Sequence, residues 1–113
     1  TLPPMGQDKQ TVSELITLLK HDNVTVRINA IEALCKIGDC KAIPALIIAL
    51  QDTDSQVRAN AAFALGCFRS QAITAVEPLI MSLEDSDEWV RAKAVEALSH
   101  IRNPKATVHL AAA

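Results

Sequence analysis

The feature that most constrains the fold is a segment that occurs three times. The stretches NVTVRINAIEALCKI, DSQVRANAAFALGCF and DEWVRAKAVEALSHI begin at Asn23, Asp54 and Asp87 and align without a gap. Each follows an apolar stretch at the same offset, ELITLLKHD, ALIIALQDT or PLIMSLEDS. Self-similarity at a period of roughly 20 to 50 residues is typical of stacked structural repeats. The chain therefore contains three copies of a two-part unit.

The second part of each unit has the pattern of an amphipathic helix. Apolar residues recur at spacings of four, four and three, which places them on one helical face. Asn23, Asp54 and Asp87 stand three residues before the first of them and are the predicted N-caps. Gly38 follows the first helix, and Arg69 and Arg102 take its place in the second and third, so we expect those two helices to end differently. The predicted core positions are Val26, Ala30, Leu34 and Ile37; Val57, Ala61, Leu65 and Phe68; and Val90, Ala94, Leu98 and Ile101.

The first part of each unit is a shorter helix that is apolar almost all round. Such a helix is usually buried between neighbours, so we expect little exposed apolar surface on it. Its repeated apolar positions are Leu15, Ile16 and Leu19; Leu46, Ile47 and Leu50; and Leu79, Ile80 and Leu83. The predicted organisation is a mobile lead-in at 1–10, repeats at 11–41, 42–75 and 76–105, and a remnant, cloning tail or start of a fourth helix at 106–113.

Composition narrows the class further. The chain has 113 residues, of which 50% are hydrophobic and only 3% aromatic, which favours one modest core of close-packed helices. Its net charge of -2, without a basic run, argues against a nucleic-acid partner. No apolar run approaches the roughly 20 residues of a membrane-spanning helix. Three cysteines fit neither a disulfide framework nor a zinc site and favour a cytoplasmic protein.

The pattern D-x-x-x-V-R-x-x-A-x-x-A-L resembles HEAT repeats, and most closely the short HEAT-like repeats of the phycobilisome lyases, over residues 12–105. The resemblance implies an all-α fold, an α-solenoid of about three antiparallel helix pairs coiled as a right-handed superhelix. It also implies a ladder in which each arginine pairs with an aspartate in the turn before it or in the next unit. The matching residues are Arg27, Arg58 and Arg91, and Asp52 and Asp85. In the first copy His21 stands at the aspartate position, with Asp22 beside it as a substitute.

The second helices of such a stack line its concave side, which is the usual recognition surface. Spacings of four, three and four select an exposed stripe whose residues differ between copies. Phe63 stands there in place of a glutamate, and Trp89 in place of a threonine and a glutamine. Either ring could contact a partner, or instead Phe63 could pack over a neighbouring helix and Trp89 could shield the ladder turn. The predicted partner-binding residues are Phe63, Asn60, Trp89, Lys93, Asn29, Cys67 and His100.

The sequence offers little for catalysis, metal binding or a cofactor, and we predict none of them. His21, His100 and His109 are scattered, and Cys67 with His100 lacks the third group that nucleophilic catalysis requires. We predict a non-catalytic interaction module that binds a protein or peptide, without nucleic-acid or membrane partners, and that self-associates through exposed end repeats. The resemblance alone implies an alternative, a bilin lyase or a lyase subunit.

Overall fold

A computed structural model describes residues 8–101 of the chain, with side chains from residue 11 onward. Within this range the chain forms α-helices and short 3₁₀ segments and no strand, so the all-α prediction is confirmed. The first helix begins at Asp8, within the segment predicted as the lead-in. Residues 1–7 and the predicted tail at 106–113 lie outside the described residues. The helices are α1 (Asp8–Leu18), α2 (Val24–Ile37), α3 (Ile43–Ala49), α4 (Ser55–Cys67), α5 (Val76–Ser82) and α6 (Glu88–Ile101).

The three predicted N-caps start the second helices as expected. Asn23 Oδ1 accepts from the amides of Thr25 and Val26. Asp54 and Asp87 each accept from the two equivalent amides of α4 and α6, at 2.7 to 3.3 Å. These bonds satisfy amides that have no acceptor within the helix, and they fix where each helix begins.

The helix α2 ends on a residue with a left-handed backbone, and a positive φ recurs one residue after the C-cap of α4. Gly38 caps α2 at φ 72°, and its amide donates to Leu34 O. Arg69, at the equivalent repeat position after α4, has φ 54° and is the one non-glycine residue with positive φ in the described part of the chain. A side chain in this conformation costs about 1 to 2 kcal/mol. The helix α4 itself ends one repeat position earlier than α2, on Phe68 in the right-handed region, so the two helices end differently, as expected. Arg102 lies outside the described residues.

The helices stack as antiparallel pairs, α1 with α2, α3 with α4 and α5 with α6. The second helices also pack directly on one another, α2 on α4 and α4 on α6. The outer helices are separated by the connections between repeats, which form 3₁₀ turns at Cys40–Ala42 and, where the chain is longer, at Arg69–Ala75. This arrangement confirms an α-solenoid whose second helices form one continuous layer.

The central helix α4 is buried on most of its surface because its residues are small. Ala59, Ala62 and Ala64 are buried in addition to the predicted core positions of this helix. Gly66 brings α4 closest to α6: a methyl group added there would lie 2.9 Å from Ala97 Cα and 3.2 Å from Ala97 Cβ. Glycine is favoured at this point because a side chain would meet the backbone of the next repeat.

The predicted core positions of the second helices are buried, or half-buried at Val26, Ile37 and Leu98, as the helical periodicity indicates. The expectation for the first helices is wrong in part. Ile48 is 68% exposed and Met81 is 70% exposed, although both lie in short, almost wholly apolar helices. One side of each outer helix therefore faces solvent.

None of the helices in residues 8–101 combines the length and hydrophobicity that crossing a membrane would need.

Candidate binding surface

An arginine–aspartate ladder runs along the turns that precede the second helices. Arg58 Nε lies 2.9 Å from Asp85 Oδ2, and its Nη2 donates to Asp85 Oδ1 at 3.1 Å, so the pair is bidentate across two repeats. Arg27 pairs with Asp52 of the next repeat through one hydrogen bond, from Nη2 to Oδ1 at 3.1 Å; its Nε lies 3.0 Å from Oδ2 without making a hydrogen bond. Only 16% of the Arg58 side chain and 12% of the Asp85 side chain are exposed. The resemblance implied a carboxylate in the turn before or in the next unit, and the structure places it in the next unit.

Each arginine also bonds the turn of its own repeat. Arg58 Nη1 donates to Asp52 O at 2.8 Å, and Arg91 Nη1 donates to Asp85 O at 2.7 Å. Arg27 Nη1 donates to the carbonyl oxygens of His21 and Asp22 at 2.7 and 3.1 Å. The guanidinium groups therefore tie each turn to the following one.

Electrostatics in the ladder favour the charged forms. Burial raises the pKa of the Asp85 carboxyl, but hydrogen bonds from Arg58 and from the Asp87 amide outweigh burial, and the pKa lies below its ordinary value. The hydrogen bond to Asp85 is the main reason that the pKa of Arg58 is raised. Removing one partner of such a pair strongly destabilises the folded protein, because the other charge is left unpaired.

His21 takes over one of the two roles of the ladder aspartate. Asp52 Oδ1 and Asp85 Oδ1 each accept from the amide two residues later, at 2.9 Å. His21 Nδ1 accepts from the Asn23 amide at 3.0 Å, so the imidazole closes the same turn. The suggestion that the Asp22 carboxylate substitutes in the ladder is wrong, because Arg27 binds the Asp22 backbone carbonyl instead.

The aromatic residues of the predicted stripe are brought together around one lysine. Lys93 Nζ lies 5.3 Å from the centre of the Phe63 ring and 4.9 Å from the centre of the Trp89 ring. The rings remain 47% and 59% exposed, and Glu96 Oε1 lies 3.5 Å from the same ammonium. Each cation–π contact contributes about 0.5 to 1 kcal/mol at an exposed site. We call Phe63, Trp89 and Lys93 the aromatic cluster.

A groove of about 390 Å³ lies beside Phe63, between α2 and α4. Its lining combines apolar, charged and amide groups: Ile31, Glu32, Cys35, Lys36, Asn60, Phe63 and Ala64. The Asn60 side-chain amide donates to Gln56 O at 2.8 Å, which leaves its carbonyl oxygen for another donor. A pocket with an apolar wall and few polar groups is the usual form of a recognition site.

The other predicted binding residues make no contact with the Lys93 ammonium that the structure shows, and each has its own surroundings. Asn29 is exposed on α2. His100 is exposed on α6, and its Nδ1 lies 3.5 Å from Arg69 Nη1. Cys67 Sγ contacts Cys35 Sγ at 3.0 Å, so its partner is another cysteine and not His100. Among the described residues, no three His, Cys, Asp or Glu side chains are placed to hold a metal ion.

The sequence reasoning missed a second groove on the outer helices. It has a volume of about 720 Å³ and lies between α1 and α3, next to the Arg27–Asp52 pair. Ile16, Leu19, Pro44 and Ile48 supply much of its apolar wall. The repeated apolar positions of the first helices were the available signal, but periodicity alone did not separate their exposed side from their buried side.

Comparisons with known proteins agree with this architecture. The family of HEAT repeats matches residues 5–66 and again residues 43–113. A crystal structure of an engineered protein superimposes with a TM-score of 0.69 at 27% identity, covering 88% of this chain and 49% of that one. The chain therefore spans about half the length of that structure. No curated protein matches. The family match is to HEAT repeats in general and gives no support to the narrower resemblance to phycobilisome lyases. The chain belongs to the HEAT-repeat family.

Proposed function

We propose that this chain is a non-catalytic protein-binding module that receives a protein or peptide on the concave face of its second helices. The aromatic cluster carries the proposal. Phe63 and Trp89 expose about half of their large rings, although the repeat does not require an aromatic residue at either position. Rigid aromatic side chains are enriched among the residues that dominate binding energy.

The surroundings of the cluster support the same function. Lys93 contacts both rings and favours their present positions, which reduces the side-chain freedom to be lost when a partner binds. The groove beside Phe63 offers room for one side chain of a partner, with Glu32, Lys36 and Asn60 available to bond its polar groups. HEAT repeats commonly mediate protein interactions, which agrees with a binding role.

The test is a quantitative affinity capture followed by measurement of Kd for the protein that is retained. Phe63→Ala and Trp89→Ala should each weaken binding by about 30-fold, which corresponds to about 2 kcal/mol for a central aromatic contact. Ile48→Glu is the matched control, because Ile48 is equally apolar and exposed but lies in the outer groove. Retained binding by both aromatic variants, with loss in Ile48→Glu, would assign recognition to the outer helices and contradict the proposal.

Self-association through the end repeats is a separate part of the proposal. Its measurement is light scattering of the purified chain over a range of concentrations. A constant monomer mass up to high concentration would remove it without affecting the binding role of the aromatic cluster.

A further inference from the structure

Two cysteines from different repeats meet on the layer of second helices. Cys35 on α2 and Cys67 on α4 place their sulfur atoms 3.0 Å apart, although they are 32 residues apart in the chain. Both are free thiols, Cys67 is exposed and Cys35 is half-buried. They occupy neighbouring rather than equivalent positions of the repeat, so the contact results from the way α2 packs on α4.

The geometry is close to that of a covalent link. A disulfide has a sulfur–sulfur distance of about 2.05 Å, and the two helices that carry the thiols are already packed together. A thiol held in this way attacks a mixed disulfide on its neighbour far faster than a thiol that must reach it by diffusion. We propose that Cys35 and Cys67 form a thiol–disulfide exchange site, at which a small oxidised disulfide such as glutathione disulfide converts them into a staple between the first and second repeats.

Because Cys67 is exposed and Cys35 is half-buried, Cys67 reacts first with glutathione disulfide. The Cys67 thiol loses its proton, and its thiolate attacks one sulfur of glutathione disulfide. The glutathione S–S bond breaks, a mixed disulfide forms on Cys67, and the released glutathione thiolate takes up a proton. With Cys67 in the mixed disulfide, Cys35 loses its proton and its thiolate attacks the Cys67 sulfur. The bond between Cys67 and glutathione breaks, and the released glutathione thiolate takes up a proton. The two protein thiols have lost two electrons and two protons, and one glutathione disulfide has become two reduced glutathiones.

The environment of Cys35 agrees with this order. Burial, together with the hydrogen bond to Cys67 and the charge of that neighbour, raises the pKa of the Cys35 thiol to about 12. Cys35 therefore remains protonated, and the exposed Cys67 makes the first attack. The staple would fix α2 against α4 at one side of the 390 Å³ groove, which Cys35 also lines.

Cys40 provides an internal control. It is exposed but stands alone in the 3₁₀ turn between α2 and α3. The full chain is incubated with glutathione disulfide, denatured, alkylated and weighed by intact mass spectrometry, and the linked peptides are mapped. The wild type should lose two hydrogen atoms through a link between Cys35 and Cys67, while Cys40, with no second thiol to displace glutathione, carries either the alkylating group or one glutathione. Cys40→Ser should form the same link with no thiol left, whereas Cys35→Ser should keep a glutathione adduct on Cys67.

A second measurement guards against variants that fail to fold. The melting temperature of the oxidised wild type should exceed that of the reduced protein by on the order of 10 °C, and dithiothreitol should reverse the rise. The proposal is overturned if the wild type accumulates glutathione on both Cys35 and Cys67, forms a disulfide with a second molecule of the protein, or forms a disulfide through Cys40. An unchanged or lower melting temperature after oxidation would equally exclude a staple that fits the native stack.

Discussion

Replacing Gly66 by alanine tests how closely α4 and α6 pack. In an open helix the change would stabilise the protein by about 1 kcal/mol, because alanine has the higher helix propensity. Here the added methyl group would lie 2.9 Å from Ala97 Cα and 3.2 Å from Ala97 Cβ. Carbon atoms in contact normally stand about 3.5 to 4.0 Å apart, and neither atom can rotate away because both are fixed to the backbone of α6. Overpacking of this kind costs about 1 to 3 kcal/mol, so we expect Gly66→Ala to destabilise by a net ~1 kcal/mol.

Urea unfolding followed by far-UV circular dichroism measures this difference directly. Ser99→Ala is the matched control, since Ser99 occupies the same repeat position on α6 but is exposed. It should stabilise slightly, by roughly 0.5 kcal/mol. Adding Ala97→Gly to Gly66→Ala removes only the Cβ contact, so it should restore no more than part of the loss. A Gly66→Ala variant as stable as the wild type would refute the reasoning, because α6 would then shift at no cost.

Three further predictions concern the ladder and the turn after α4. Arg58→Ala should destabilise the protein by about 1 to 3 kcal/mol, because it leaves the half-buried Asp85 carboxylate unpaired. Thermal unfolding measures the loss, and an unchanged melting temperature would show that the ladder does not stabilise the fold. Because folding lowers the pKa of Asp85, the contribution of its carboxylate to the free energy of unfolding should be complete above the unfolded pKa of about 3.9 and should disappear as the pH falls through the folded pKa. Asp85→Asn should flatten that part of the curve of stability against pH, and a curve identical to that of the wild type would contradict this. Arg69→Gly should stabilise the protein by roughly 0.5 kcal/mol, because glycine adopts a positive φ without strain, whereas Gly38→Ala at the equivalent position should destabilise it. The midpoints of urea unfolding should therefore move in opposite directions, and a shift in the same direction for both variants would contradict this account.

The repeat pattern was sufficient to predict the helices and most of the core. Leu34 and Leu65 occupy one position of the repeat and Val90 occupies another, and the residue at each position is the same in all three copies. A residue that recurs at helical spacing in every unit has to face the same neighbours. The N-caps were readable for a similar reason, because an Asn or Asp three residues before the first core position can satisfy the free amides. Repetition therefore reveals what the units share.

The features that the sequence did not reveal depend on how neighbouring units pack. Cys35 and Cys67 are adjacent positions in the repeat frame, and only the rotation between α2 and α4 brings their sulfur atoms together. Ile48 belongs to a helix that is apolar on every side, so periodicity did not show which side faces solvent. Arg69 adopts a positive φ that side chains normally avoid, at the repeat position where Gly38 stands in the first unit, and an arginine gives no sequence signal of this backbone.

The Asp85 carboxylate accepts two kinds of hydrogen bond, and this has a consequence for the cooperativity of unfolding. The same group accepts the guanidinium of Arg58 in the second repeat and the Asp87 amide at the start of α6. If the third repeat unfolds, the second repeat loses the anion that balances a largely buried cation, in addition to losing the packing of α4 on α6. Fraying from that end is therefore unfavourable for the unit that remains folded. Nearest-neighbour coupling of this kind lets a short stack unfold as one body, although each repeat contacts only its neighbours.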